Sequence, residues 1–282
     1  MNKSEKKQIV FFLVVSFLSM IILGIIYGKY KSPDTIVALI FIPAITAIVS
    51  RILFKEGTKN LFLRVHFKRN KKTFIKTALI IPAIVYSAAI LNYILFKNNT
   101  KLLGTVAMYS FQYSGMLEYL KGITRQVSNL ALIFPIYGVL QCFCEEFAWR
   151  GYLLPKLCKI MPAQKAAMLN GFLWGLWQVP VMTYIYRDIA VNPFVASVML
   201  VIVSMAIGSI QSYFLFRTES LWCPVIFSLS INMMSMYTPA AVFEHAAMGT
   251  AASFIFSGGI GTLAIIVFGI YCYKKSRMVY VD

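Results

Sequence analysis

Two adjacent glutamates, Glu145 and Glu146, and the arginine one helical turn later, Arg150, are the residues in this sequence best placed to do chemistry. Only 10 of the 282 residues are acidic, and the run before the pair is strongly apolar. Carboxylates at the edge of a bilayer are energetically costly and therefore mark candidate functional sites. On a helix, Glu146 and Arg150 have the i, i+4 spacing and order that favour an ion pair.

Glu145 points about 100° away from Glu146 on such a helix, so we expect it to have no cation of its own and to face a cavity. A carboxylate in a partly desolvated site has a raised pKa and can act as a base. The alternative is that these charged residues are the polar cap of a span at the membrane interface.

The composition predicts a polytopic membrane protein, because the chain is 59% hydrophobic and only 13% charged. Apolar runs of about 20 residues are long enough to span a bilayer as helices. Eight such runs are present, at residues 10–27, 35–54, 77–96, 128–143, 166–186, 193–216, 221–237 and 254–273. We therefore expect an all-α fold of about eight transmembrane helices around a cytoplasm-facing cavity, with residues 1–282 forming a single membrane domain.

The distribution of charge predicts the orientation in the membrane. Most of the 27 lysines and arginines fall on the cytoplasmic side if the N-terminus is inside. The net charge of +17 is then explained by topology, and we expect no nucleic-acid partner. Both termini and the glutamate pair are predicted to be cytoplasmic, and the first span lacks a small-x-small cleavage site, which indicates an uncleaved anchor. The richness in Lys, Ile, Phe and Asn is typical of a low-GC bacterium, so a bacterial plasma membrane is the expected location.

Neither a disulfide nor a metal site is expected. The five cysteines lie within or beside the spans, mostly toward the reducing side. Cys142 and Cys144 are separated by one residue, whereas zinc ligands usually have two to four intervening residues and need further partners. The two histidines, His66 and His245, are not expected to reach Glu145. We predict no cofactor.

Two further patterns concern packing. The connection over residues 97–129 is long enough to hold structure, and Met116, Leu117 and Leu120 predict a short interfacial helix within it. Glycines at the start of the last span are small residues of the kind that let helices pack closely; they are Gly258, Gly259 and Gly261.

Three blocks of the sequence resemble a known family. The run Glu145-Glu146-Phe-Ala-Trp-Arg150 resembles the Glu-Glu-x-x-x-Arg signature of the CAAX protease and bacteriocin-processing family, also called CPBP or Abi, which includes the type II CAAX prenyl endopeptidases. Residues 171–180 resemble its Phe-x-x-x-His-x-Pro block, with Trp174 in place of the phenylalanine. Residues 219–232 resemble its Ser-Leu-x-x-x-x-x-x-His-x-x-x-Asn block. The family-like core covers about residues 128–235 and implies the fold of an intramembrane protease.

Both histidines of those blocks are replaced in this chain, by Gln178 and Ser228. The resemblance implies that Glu145 and the first histidine activate a water, and that the second histidine and Asn232 hold the oxyanion. Gln178 could orient a water but cannot take up a proton near neutral pH. Ser228 keeps a donor that could join Asn232 in an oxyanion hole, although such polar residues also join transmembrane helices by hydrogen bonds. Removing an acid-base partner typically costs about 10²- to 10⁴-fold in rate.

The preferred hypothesis is a degenerate family member, a pseudoprotease, that keeps the cavity as a binding site. It would act in the lipid bilayer as a membrane scaffold, regulator or immunity-type partner of a peptide or membrane protein. The alternative is an active, glutamate-dependent intramembrane endopeptidase of the CAAX or leader-peptide type, with Glu145 as base, Gln178 orienting the water, and Ser228 and Asn232 stabilising the oxyanion. A transporter with Glu145 as proton carrier has less support, because the sequence has no paired, interrupted spans.

Overall fold

The computed structural model describes residues 3–57, 61–97, 100–106, 109–122, 135–189, 192–236, 239–243 and 258–276. Helices dominate this part of the chain, and a π-helical turn over Phe147–Leu153 joins the fourth helix to the fifth. The helices are α1 Lys3–Tyr30, α2 Pro33–Leu53, α3 Phe67–Leu95, α4 Pro135–Glu146, α5 Leu154–Cys158, α6 Ala163–Ile189, α7 Pro193–Thr218, α8 Trp222–Met236 and α9 Gly258–Ser276.

The helical membrane architecture predicted from the sequence is confirmed, since a helix lies at each of the eight predicted spans. The first residues of two of those spans, 128–134 and 254–257, lie outside the described residues. By length and composition alone, three helices could cross a membrane: Ser4–Tyr30, Phe67–Leu95 and Pro193–Thr218. Large apolar side chains such as Ile22, Ile52 and Leu79 are 57%, 70% and 59% exposed, as expected for surfaces that face lipid. The molecule is a polytopic membrane protein.

A small antiparallel sheet, which the sequence analysis did not predict, accompanies the helices. Strand β1 spans Thr100–Val106, β2 spans Tyr109–Gln112, and β3 spans Pro239–Phe243. The order is β2-β1-β3, so β1 pairs with a neighbour in the chain on one side and with a distant segment on the other. The short helix predicted from Met116, Leu117 and Leu120 is present over residues 116–122.

Helices α6 and α7 cross with their backbones almost in contact. A Cβ atom added to Gly208 would overlap the Cα atom of Gly171, and one added to Gly175 would lie 2.8 Å from the Cβ atom of Ser204. Only residues with very small side chains permit such an approach between helices. The close contact predicted at Gly259 is not found, because an added Cβ there meets nothing within 4 Å.

The largest buried side chains surround the π-helical turn. The ring of Trp149 lies 5.7 Å from the rings of both Phe12 in α1 and Trp177 in α6. Trp177 also donates its indole N–H to the backbone carbonyl of Ser16, at 3.1 Å. Helices α1 and α6 therefore hold the turn from two sides.

A polar cluster ties the same turn to the beginning of α1 and the end of α2. The Lys156 ammonium donates to the side-chain oxygens of Gln8 and Glu56, both at 2.7 Å. The hydroxyl of Tyr152 is hydrogen-bonded to the hydroxyl of Ser50 and donates to the carboxylate of Glu56 at 3.4 Å. Lys156 lies between predicted spans; burial lowers its pKa, and the carboxylate of Glu56 opposes that shift.

The α6–α7 crossing can be tested by substituting Gly208 with alanine. Because the added Cβ atom meets backbone that cannot move aside, we expect Gly208→Ala to destabilise the protein by about 1–3 kcal/mol, the usual cost of overpacking. Thermal unfolding of the detergent-solubilised protein measures the effect. Gly259→Ala is the matched control and should unfold within a few degrees of the unsubstituted protein. Equal unfolding temperatures for the two variants would contradict the close crossing.

Candidate active site

The residues that follow the glutamate pair form the π-helical turn. The backbone N–H of Leu154 donates to the carbonyl of Trp149, an i to i+5 bond. Asn170 of α6 donates its side-chain N–H to that same carbonyl, at 2.8 Å. Such π-helical turns occur frequently at functional sites, and this one is held in place by a buried amide from another helix.

The carboxylate of Glu146 is the centre of a buried hydrogen-bonded cluster. Its Oε1 atom accepts hydrogen bonds from Arg150 Nη1 at 3.3 Å, Gln211 Nε2 at 2.8 Å and Ser228 Oγ at 2.7 Å. Glu146, Arg150 and Gln211 are each 0% exposed, and Ser228 is 8% exposed. The ion pair predicted between Glu146 and Arg150 is confirmed. A buried carboxylate is tolerated only when it is paired in this way.

Ser228 is engaged on both sides within this cluster. Its hydroxyl donates to Glu146 and accepts from Gln211 Nε2 at 2.6 Å. A serine hydroxyl has a single proton to donate, and here that proton is directed at the carboxylate. In this arrangement Ser228 therefore contributes to the charge cluster and does not offer a donor to an oxyanion.

Sequence reasoning missed Gln211. The available signal was an amide side chain in the middle of an apolar span, residues 193–216, because polar groups at membrane depth are costly and usually have a partner. The partner could not be read from spacing, since Glu146 lies in a different helix 65 residues earlier.

Arg150 makes contacts in addition to its predicted ion pair with Glu146. Its guanidinium stacks over the ring of Trp174, 4.7 Å from the centroid, in a cation–π contact. It also interacts electrostatically with Glu145, whereas its ion pair is with Glu146. Among the residues that the structure describes, the Nε and Nη2 atoms of Arg150 and the Oε2 atom of Glu146 have no hydrogen-bond partner.

Glu145 is half-buried and lies at the edge of the cluster. The side chains of Gln141 and Trp174, both half-buried, are next to its carboxylate. Glu145 is thus more accessible than Glu146, which is completely buried.

The two remaining predicted site residues have other contacts. Gln178 donates its amide N–H to the carbonyl of Trp174, one turn back in its own helix, at 3.4 Å. Asn232 donates to the sulfur of Cys142 at 3.3 Å, which links α8 to α4 one turn before Glu146. The structure therefore joins Glu146, Arg150 and Ser228 directly, brings Asn232 to the helix of the glutamates, and has Gln178 bonded to its own backbone.

Within the described ranges, no group of three or more His, Cys, Asp or Glu side chains is arranged to hold a metal ion. All five cysteines are free thiols. His66 lies in the connection between α2 and α3, and His245 lies outside the described residues.

The contribution of Gln211 can be measured with the nearly isosteric variant Gln211→Met. The substitution removes a hydrogen bond to a buried carboxylate, which typically costs about 1.5–3 kcal/mol, so we expect a clear fall in the thermal unfolding temperature. Gln164→Met, at a more exposed position with a single hydrogen bond of 3.5 Å to Lys274, should change stability by less than about 0.5 kcal/mol. A Gln211→Met variant as stable as this control would contradict the cluster.

Comparison with known proteins gives two matches. Residues 127–234 match the family described as Type II CAAX prenyl endopeptidase Rce1-like. CAAX prenyl protease 2 of Methanococcus maripaludis is 28% identical over 153 residues, which cover 51% of this chain and 50% of that protein. The chain thus spans about half the length of this curated relative. All six predicted site residues lie within residues 127–234, the part of this polytopic membrane protein that matches the Rce1-like CAAX prenyl endopeptidase family.

Proposed function

We propose that this protein is a degenerate member of the family, a pseudoprotease that binds a peptide or membrane-protein partner in the cavity of the former active site. It would act as a membrane scaffold, regulator or immunity-type partner. The observation that carries the proposal is the 2.7 Å hydrogen bond from Ser228 to Glu146. Where the family's third block has an imidazole, this chain has a hydroxyl whose proton is used to stabilise a buried carboxylate.

The groups that hydrolysis requires are replaced or form other hydrogen bonds in this chain. Cleaving a peptide bond needs a group that accepts a proton and donors that stabilise the oxyanion. Gln178 cannot accept a proton near neutral pH, and its amide is bonded to the carbonyl of Trp174. The amide of Asn232 is bonded to Cys142, and the proton of Ser228 to Glu146. Gln178 thus lacks a basic nitrogen, the single proton of Ser228 is used by Glu146, and one amide N–H of Asn232 is bonded to Cys142.

The same geometry suits a binding role. Glu145 and Trp174 are half-buried at the edge of the site, and the fully buried Arg150 has two nitrogen atoms, Nε and Nη2, without a hydrogen-bond partner among the described residues. A guanidinium presents its donors in a planar fork that matches carboxylates and carbonyls. A peptide segment with an apolar flank and a polar backbone would contact Trp174 and Glu145 at this edge, with the Arg150 guanidinium behind them.

We further propose a bacterial plasma membrane location, with both termini cytoplasmic and residues 1–282 forming a single membrane domain. The distribution of lysine and arginine supports this orientation. In the structure, the beginning of α1 and the end of α2 lie at the same end of the bundle as the π-helical turn, since Gln8, Glu56 and Lys156 share hydrogen bonds. With that orientation, the site would lie near the cytoplasmic leaflet.

An active, glutamate-dependent endopeptidase is the second candidate. Glu145 favours it, because this carboxylate is half-buried and lies beside an arginine and an indole ring. Glu145 would then activate the water without an imidazole. The loss of an acid-base partner would slow such an enzyme by about 10²- to 10⁴-fold.

A cleavage assay distinguishes the two candidates. The purified protein is reconstituted in liposomes with an internally quenched, farnesylated CAAX-type peptide, and fluorescence is followed over hours. We expect the unsubstituted protein and Glu145→Gln to give the same background rate, because the site has no group to complete the proton transfer. Glu145→Gln keeps the size of the side chain, and its unfolding temperature provides the control for folding.

A double variant provides the positive control for that assay. Gln178→His together with Ser228→His returns an imidazole to each block, and we expect cleavage to rise by about 10²-fold or more. That gain should disappear when Glu145→Gln is added to the double variant. Cleavage by the unsubstituted protein that Glu145→Gln abolishes would overturn the pseudoprotease proposal and establish the second candidate.

A further inference from the structure

A groove on the outer face of α1 has features that the proposed function does not use. Its volume is about 480 Å³. Its surface is almost entirely apolar, and Lys6 and Lys7 line one part of it with the aliphatic stems of their side chains. The rings of Phe11 in α1 and Phe54 at the end of α2 meet edge to face, with centroids 5.9 Å apart, and close the groove between the two helices.

The two lysines carry charge that the protein does not neutralise. Both side chains are exposed. The carboxylates closest to the groove along the chain are already committed to other lysines, in the ion pairs Glu5–Lys159 and Glu56–Lys156, each 2.7 Å long. Within the described part of the chain, Lys6 and Lys7 have no carboxylate partner.

The groove lies at a depth in the membrane that matches the headgroup of a lipid and the first part of its acyl chain. Helix α1 is a candidate membrane span from Ser4 to Tyr30, so Lys6 and Lys7 lie in its first turns, at the level of the headgroups. The apolar part of the groove continues along the span, where Val10 and Val14 are 58% and 49% exposed. A basic end at the interface followed by an apolar trough complements a negatively charged headgroup with a hydrocarbon tail.

We propose that this groove is a binding site for one anionic phospholipid. The phosphate would lie between the ammonium groups of Lys6 and Lys7, and one acyl chain would run over Val10 and Val14 against the Phe11 and Phe54 rings. An anionic lipid satisfies both ends of the groove, whereas a zwitterionic lipid fills the apolar part but leaves the two charges without a net counter-charge.

Bound lipid would also stabilise the structure around the candidate active site. Phe12, next to Phe11 in α1, packs against Trp149 and Tyr152 of the π-helical turn, with ring centroids 5.7 Å and 5.3 Å apart. A lipid that fixes α1 against the end of α2 would therefore support the turn that carries Arg150.

Native mass spectrometry of the detergent-solubilised full chain tests the site. The protein is titrated with phosphatidylglycerol or with phosphatidylcholine that has the same acyl chains. We expect one phosphatidylglycerol to be retained in preference to phosphatidylcholine. Lys6→Gln with Lys7→Gln should weaken phosphatidylglycerol binding by about thirtyfold, because each lysine near a membrane surface contributes about fivefold.

Two further variants distinguish a specific lipid-binding site from non-specific electrostatic attraction of anionic lipid to the protein. Lys71→Gln with Lys72→Gln removes the same charge from an exposed lysine pair in the first turns of α3 and should change binding by less than about twofold. Val10→Trp fills the apolar trough without changing charge and should weaken binding of both lipids. Equal losses from the two lysine pairs, or equal retention of the two lipids, would overturn the proposal.

Discussion

The buried charge of Glu146 is the constraint on which the arrangement of the membrane core depends. Removing a carboxylate from water costs several kcal/mol even after the protein relaxes. Here that cost is offset at one oxygen atom by Arg150 of the π-helical turn, Gln211 of α7 and Ser228 of α8. These elements must therefore converge on the end of α4, since losing any one contact would leave a less compensated charge inside the membrane.

Close packing between helices makes that convergence geometrically possible. Because Gly171 and Gly208 have no side chains, α6 can lie directly on α7. Asn170, next to Gly171, then reaches the Trp149 carbonyl, and Trp174, one turn later, covers the Arg150 guanidinium. Asn170 and Trp174, next to and within the family's second block, thus stabilise the ion pair and its turn, which gives a reason for their presence that does not require catalysis.

The sequence predicted those features that depend on local periodicity. The spans followed from the length of the apolar runs, and the Glu146–Arg150 pair followed from i, i+4 spacing on one helix. Gln211 and the pairing of β1 with β3 were not predictable in this way, because each depends on a contact between segments far apart in the chain. The π-helical turn over Phe147–Leu153 was likewise not predicted, because it has no simple sequence signature.

Complementation of a gene deletion in the native cell with Glu145→Ala tests the central claim most directly, with membrane-associated peptides profiled in parallel. If the protein acts by binding, the peptide profile with Glu145→Ala should match the profile with the unsubstituted gene, because no cleavage depends on Glu145. If Glu145→Ala fails to complement although it accumulates normally in the membrane, and a processed peptide disappears with it, the protein is a working peptidase and the account is wrong.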